Sequence, residues 1–179
     1  ENYIIRGYMK DFSDMKNITL IVLATVAFTA CTTSFESFGE FSRTQLQNSE
    51  HNSWFTDNYD AHPLNETLAS QIDSLFSEIE VTIFMGTWCE DSQREVPGFF
   101  RIIDALDANN QINRLVGLNE DKISHDGSAE EAGISNVPTF IFSKKGEEIN
   151  RIVEFPIISL EQDILDILQD KGYKHAYDF

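Results

Sequence analysis

The chain has 179 residues, enough for one domain with a leader or tail. Its 41% hydrophobic and 12% aromatic content, with 14 Phe, can fill a core and excludes wholesale disorder. Thirteen Lys and Arg against 30 Asp and Glu leave a net charge of −17, which repels phosphate and argues against nucleic acid, while two cysteines exclude a disulfide-rich scaffold and a four-thiolate zinc site.

In chain order, the first feature is Ile18 to Ala30, thirteen residues without a charge. The run is short of the roughly 20 residues a membrane-spanning helix needs. With Met15-Lys16-Asn17 before it and small residues at its end, it reads as a secretory signal peptide over 15–30, starting at Met15. Residues 1–14 then lie upstream of the start. Cys31 follows in Phe28-Thr29-Ala30-Cys31, and this junction resembles a bacterial lipoprotein signal. That resemblance implies lipidation of Cys31 and anchoring at the cell envelope, on the periplasmic side in bacteria. Ordinary cleavage that leaves Cys31 free, or a buried N-terminal helix, are the other readings. Residues 31–60 show no clean period and are expected to be a tether that docks near Trp54, Phe55 and Tyr59.

From residue 61 to 179 a folded domain is expected. Leu68, Ile72, Leu75, Phe76 and Ile79 fall at helical spacing behind a cap at Asn65. Asn65-Glu66-Thr67 also matches a glycosylation sequon, though a helix cap is the simpler reading. Val81 to Met85 is a β-branched and apolar run ended by Gly86, hence a buried strand. A second helix is predicted from Glu90 to about Ala108, kinked at Pro97 because proline lacks the N–H and its ring clashes with the preceding turn. Leu115 to Leu118 is a second strand, Ser128 to Ala132 a short helix, Thr139 to Phe142 a third strand and Ile149 to Val153 a fourth. Lys144-Lys145-Gly146-Glu147 makes the last two a hairpin. Ser159 with Gln162 predicts a capping box for a final helix facing inward through Leu160, Ile164, Ile167 and Leu168. Helical crossovers imply parallel strands and the hairpin adds an antiparallel pair. The expected class is α/β, a small mixed central sheet with helices on both faces.

Trp88-Cys89-Glu90-Asp91-Ser92 sits where the first strand gives way to the second helix. Unpaired N–H groups and the positive end of the helix dipole favour thiolate there. The carboxylates of Glu90 and Asp91 oppose it. Ser92, three residues on, is expected on the same face with its hydroxyl toward the sulfur. The bland readings are an inert core thiol at Cys89, packing at Trp88 and a helix-start acid at Asp91. His51, His62, His125 and His175 are scattered, so no metal site is expected.

The W-C-x-x-S after a strand, Pro97 eight positions after Cys89, and Val137-Pro138-Thr139 before a hairpin together resemble the thioredoxin superfamily. Met85-Gly86-Thr87-Trp88-Cys89-Glu90-Asp91-Ser92 is similar to the sites of exported thioredoxin-like proteins of Bacteroidetes-type bacteria. The resemblance spans Leu64 to Asp170. It implies a thioredoxin-like fold, a cis peptide at Pro138 facing Cys89, and a substrate-binding surface of Trp88, Val137 and Pro138. It implies Cys89 as nucleophile in thiol–disulfide exchange with protein or small-molecule thiols and disulfides, with no cofactor. Two family groups are replaced: the second Cys by Ser92, and the buried acid six residues before the nucleophile by Ile83. Without a resolving thiol, exchange should halt at a mixed disulfide until an outside thiol releases it. Loss of turnover altogether, leaving a non-catalytic binding or scaffold lipoprotein, is the alternative. A glutathione-bridged iron–sulfur carrier is disfavoured because Glu90 and Asp91 replace the small and aromatic pair of such sites.

Overall fold

The computed structural model describes residues 37–49 and 51–178. The expected upstream stretch 1–14, the signal peptide 15–30 and the candidate lipidation site Cys31 lie outside the described residues.

The chain first forms strand β1 (Gly39–Glu40), helix α1 (Arg43–Gln47) and helix α2 (Asn52–Ala61). Ser42 and Gln45 close a capping box on α1: Ser42 Oγ accepts the Gln45 N–H at 3.2 Å and Gln45 Oε1 accepts the Ser42 N–H at 2.9 Å. Phe55 is buried, with its ring centroid 6.0 Å from that of Phe100. Arg43 grips Asp104 with two hydrogen bonds of 2.6 Å, and the Tyr59 hydroxyl donates to the same carboxylate at 2.7 Å. More of this stretch is ordered into elements than a tether would be. Two helices of five and ten residues are too short and too polar to print a period in the sequence.

Helix α3 (Glu66–Phe76) begins as expected, with Asn65 Oδ1 accepting the Leu68 N–H at 3.1 Å. Ile79, counted above as the helix's last apolar position, instead opens strand β2 (Ile79–Met85), and Leu75 is exposed. The helical spacing ran on by coincidence into a strand whose β-branched residues take over at Ile79. Helix α4 (Glu90–Ala105) passes through Pro97 as one element and ends three residues sooner than predicted, where Asp107 turns to a φ of 50°. A 3-10 turn at Asn109–Gln111 leads into β3 (Ile112–Gly117), then α5 (Ser128–Glu131), β4 (Thr139–Lys144), β5 (Glu147–Val153) and α6 (Leu160–Leu168). Lys145 and Gly146, both at positive φ, close the β4–β5 hairpin. Ser159 caps α6 through the Gln162 N–H at 3.1 Å, but the reciprocal arm predicted for Gln162 is absent: its side chain donates forward to Asp166 at 2.8 Å.

The sheet order is β1-β3-β2-β4-β5. The β2–β3 pair is parallel, joined by the α4 crossover, and the other three pairs are antiparallel. Alternation along each strand divides the core. Val81, Ile83, Met85, Phe140 and Phe142 face the layer of α2, α3, α4 and α6. Phe84, Val116 and Ile141 face α5 and Val137 on the other side. Helices therefore cover both faces, with α1 also packing Leu46 into the larger side and the short α5 alone on the other.

Candidate functional site

Strand β2 delivers the chain to a sharp exit at Gly86. The Cys89 N–H donates to Gly86 O at 3.0 Å, and Cys89 O accepts the Gln93 N–H at 3.0 Å as the first bond of α4. Cys89 is thus the N-cap residue, in extended conformation, and its side chain caps nothing. The sulfur is directed instead across to the loop before β4, where Sγ donates to Val137 O at 3.2 Å. Cys89 is half-buried and free. The Val137–Pro138 bond is cis. That loop is held from both ends, by Thr139 Oγ1 donating to Asn136 O at 2.8 Å and by the Glu154 N–H donating to Pro138 O at 2.7 Å. Cys89, Val137 and Pro138, singled out 48 residues apart in the sequence, are brought together here.

Trp88 is 40% exposed beside the thiol. Its indole N–H donates to Leu118 O at 2.9 Å, and its ring lies on Gly86, where a Cβ would come within 2.5 Å of Cε2. Any side chain at position 86 would push that ring away. Lys122 Nζ sits 5.9 Å from the Trp88 ring centroid, a surface cation–π contact.

Ser92 does not meet the expectation drawn for it. Its Oγ accepts the Gly86 N–H at 3.2 Å from a fully buried position, and among the described residues the sulfur's hydrogen-bond partner is Val137 O. Helical spacing placed the two side chains on one face. The orphan amide at the strand's exit captured the hydroxyl. Asp91 pairs with Arg94 at 2.5 Å, and Arg94 Nε reaches Glu95 at 2.6 Å, so Asp91 is committed to its own helix turn. Ile83 is fully buried in the apolar layer beneath. Among the described residues, no group of three His, Cys, Asp or Glu could hold a metal ion.

Sequence reasoning missed three contributors. Gln93 Nε2 donates to Thr87 O at 2.7 Å and braces the turn before the thiol. Glu154, at a φ of 68°, joins the cis-proline loop through its amide and, at 3.3 Å, through its carboxylate to Asn136 Nδ2. Asp163, buried in α6, accepts the amides of Ile157 and Ile158 at 2.5 and 3.1 Å and the Tyr173 hydroxyl at 2.9 Å. Burial and this carboxylate push the Tyr173 hydroxyl well above its ordinary pKa. An acid four residues after a helix cap was a visible signal for Asp163. Nothing local marked the other two.

No known family matches the chain, and no curated protein matches it. Solved structures do. A protein of unknown function from Pseudomonas aeruginosa aligns with a TM-score of 0.52 at 12% identity, over 67% of this chain and 84% of that one. Chlamydomonas reinhardtii thioredoxin f2 aligns at 17% identity over 62% and 96%, with a TM-score of 0.38. Mitochondrial thioredoxin 3 of Saccharomyces cerevisiae aligns at 22% over 54% and 86%, with a TM-score of 0.33. The parallel crossover through α4, the antiparallel β4–β5 hairpin and the closing helix fix the class. The topology is thioredoxin-like. In this thioredoxin-like frame the thiol stands at the end of a central strand, where the crossover helix presents its free N–H groups.

Proposed function

We propose that the protein is an exported monothiol of the cell envelope that acts in thiol–disulfide exchange through Cys89. The observation supporting this most strongly is the half-buried Cys89 Sγ at the opening of α4, 3.2 Å from the carbonyl that precedes Pro138. The thiolate attacks one sulfur of a partner disulfide. A new S–S bond joins Cys89 to that sulfur, the old bond breaks, and the departing thiolate takes the electron pair and then a proton. With Ser92 in place of a second thiol, an external thiol must attack the mixed disulfide to free Cys89. Trp88, Val137 and Pro138 form the surface beside which a substrate segment lies, extended and paired to the loop's backbone. The exchange needs no cofactor in this scheme. Lipidation at Cys31 would hold the domain at the membrane by its anchor alone.

A non-reducing gel of the full chain incubated with a peptide disulfide tests the exchange. Mixed disulfides should accumulate without added thiol, vanish with dithiothreitol and fail to form in Cys89→Ser. A folded protein whose Cys89 resists both the disulfide and iodoacetamide removes the proposal. The engagement of Ser92 by Gly86 favours a second reading, a binding module that keeps the fold without turnover. Insulin reduction in the presence of an added thiol separates the two. For the anchor, Cys31→Ser should move the protein from the membrane to the soluble fraction.

A further inference from the structure

Acidic residues are grouped on the segments that carry the thiol and its neighbours. Glu90, exposed, and Asp91 follow Cys89 in the first turn of α4. Glu154 is tied to Pro138 O through its amide and to Asn136 through its carboxylate, which fixes it beside the cis-proline loop. Across Trp88, the loop that accepts the indole N–H carries Glu120 and Asp121, both exposed. Cations are fewer: Arg94 is shared between Asp91 and Glu95, and Lys122 lies against Trp88. Carboxylates therefore outnumber cations on these segments, as they do in the whole chain at −17.

A separate observation concerns Phe155, Ile157 and Ile158, which follow Glu154 and are 41%, 53% and 72% exposed. This step is rigid rather than loose, because buried Asp163 holds the amides of Ile157 and Ile158. Large apolar side chains presented to water on a fixed backbone mark a contact surface.

Resting on the exchange chemistry above, we propose that Cys89 serves disulfides of peptide segments that carry a basic residue and a large apolar residue beside the half-cystine. The basic side chain meets these carboxylates and the apolar one meets the 155–158 step. The exchange is unchanged: the peptide's S–S bond breaks, a Cys89–peptide bond forms, and the second half leaves as thiolate and is protonated.

Symmetric disulfides of acetyl-X-Phe-Cys-amide, with X as Lys, Gln or Glu, test the charge because their leaving thiols are nearly matched. Rates of adduct formation by the full chain are read by mass spectrometry. At low ionic strength the Lys peptide should react about tenfold faster than the Glu peptide, with Gln between. The spread should shrink to about twofold in 1 M salt, where screening acts beyond about 3 Å. Replacing Phe by Ser in the Lys peptide should slow it about fivefold at either salt concentration. In Ile157→Ser/Ile158→Ser that fivefold difference should close while iodoacetamide still labels Cys89 at the wild-type rate. Equal rates for the Lys and Glu peptides, or for the Phe and Ser peptides, overturn the assignment with exchange left standing. Inertness toward every peptide removes the exchange chemistry itself, and this inference with it.

Discussion

Ser92 Oγ and the Gly86 amide are both inside the protein, so the bond between them supports the strand exit that aims Cys89. Ser92→Ala leaves a buried N–H without an acceptor, which should destabilise the fold by about 1–3 kcal/mol in urea titration with the slope unchanged. Since the sulfur's partner is Val137 O, iodoacetamide labelling of Cys89 at neutral pH should stay within about twofold of wild type. A tenfold change in that rate would mean that the hydroxyl serves the sulfur after all. Gly86 is constrained differently. Trp88 covers the place where its Cβ would be, so a larger residue would displace the indole and break its bond to Leu118 O.

At the scale of elements, the link between α6 and the start of α3 passes through Glu161, whose buried carboxylate accepts the Asn65 N–H at 2.9 Å. His62 Nε2 stands 3.4 Å away without the geometry of a hydrogen bond. Burial alone would raise this carboxyl, yet His62 and the Asn65 amide hold it down at about 2, against an ordinary 4.5. A depressed carboxyl stabilises the fold fully above its unfolded value and less as pH falls from about 4.5 toward about 2. Glu161→Gln should therefore lower stability by about 1–3 kcal/mol at pH 7 and flatten the acid limb of a stability–pH curve in that window. An acid limb as steep as wild type's would contradict it. Gly117 locks β1 onto β3, because a Cβ there would strike Ser37 O and the Phe41 ring. Gly117→Ala should cost about 1–3 kcal/mol and open residues 37–47 to limited proteolysis while β2 to β5 stay protected. Wild-type protease resistance in that segment would refute the lock. These links explain what the sequence could and could not reveal. Strands β2 to β5, α4 and α6 announce themselves through β-branched runs and apolar periods, and Cys89 through its place at a junction. Helices α1 and α2 owe their order to Phe55 against Phe100 and to Arg43 on Asp104, partners 45 and 61 residues away that no local window contains. The same holds at the site, where the carbonyl receiving the thiol lies 48 residues on.

For the molecule as a whole, charge sets a conflict between local attraction and global repulsion. Arg114 bridges Glu40 and Asp126, Arg151 holds Glu148, and Lys144 holds Glu78, all near the surface. Such pairs are worth about 0–1 kcal/mol each and weaken with salt. Against them stand 30 acids for 13 bases, so even complete pairing leaves 17 carboxylates repelling one another. Folding draws these charges closer than the expanded chain does, which makes the repulsion a destabilising contribution to the native state. At 0.01 M ionic strength it reaches across the whole molecule, since the screening length is about 30 Å, and at 0.1 M that length falls to about 10 Å. Short pairs at 2.6 to 2.9 Å are screened far less than the long-range sum. Salt should therefore stabilise this protein, raising Tm by about 3–6 °C between 10 and 200 mM sodium chloride in calorimetry. Choline chloride should act alike, because the effect is screening rather than capture of a particular cation. A Tm that falls with salt would show that the surface pairs outweigh the excess of acids.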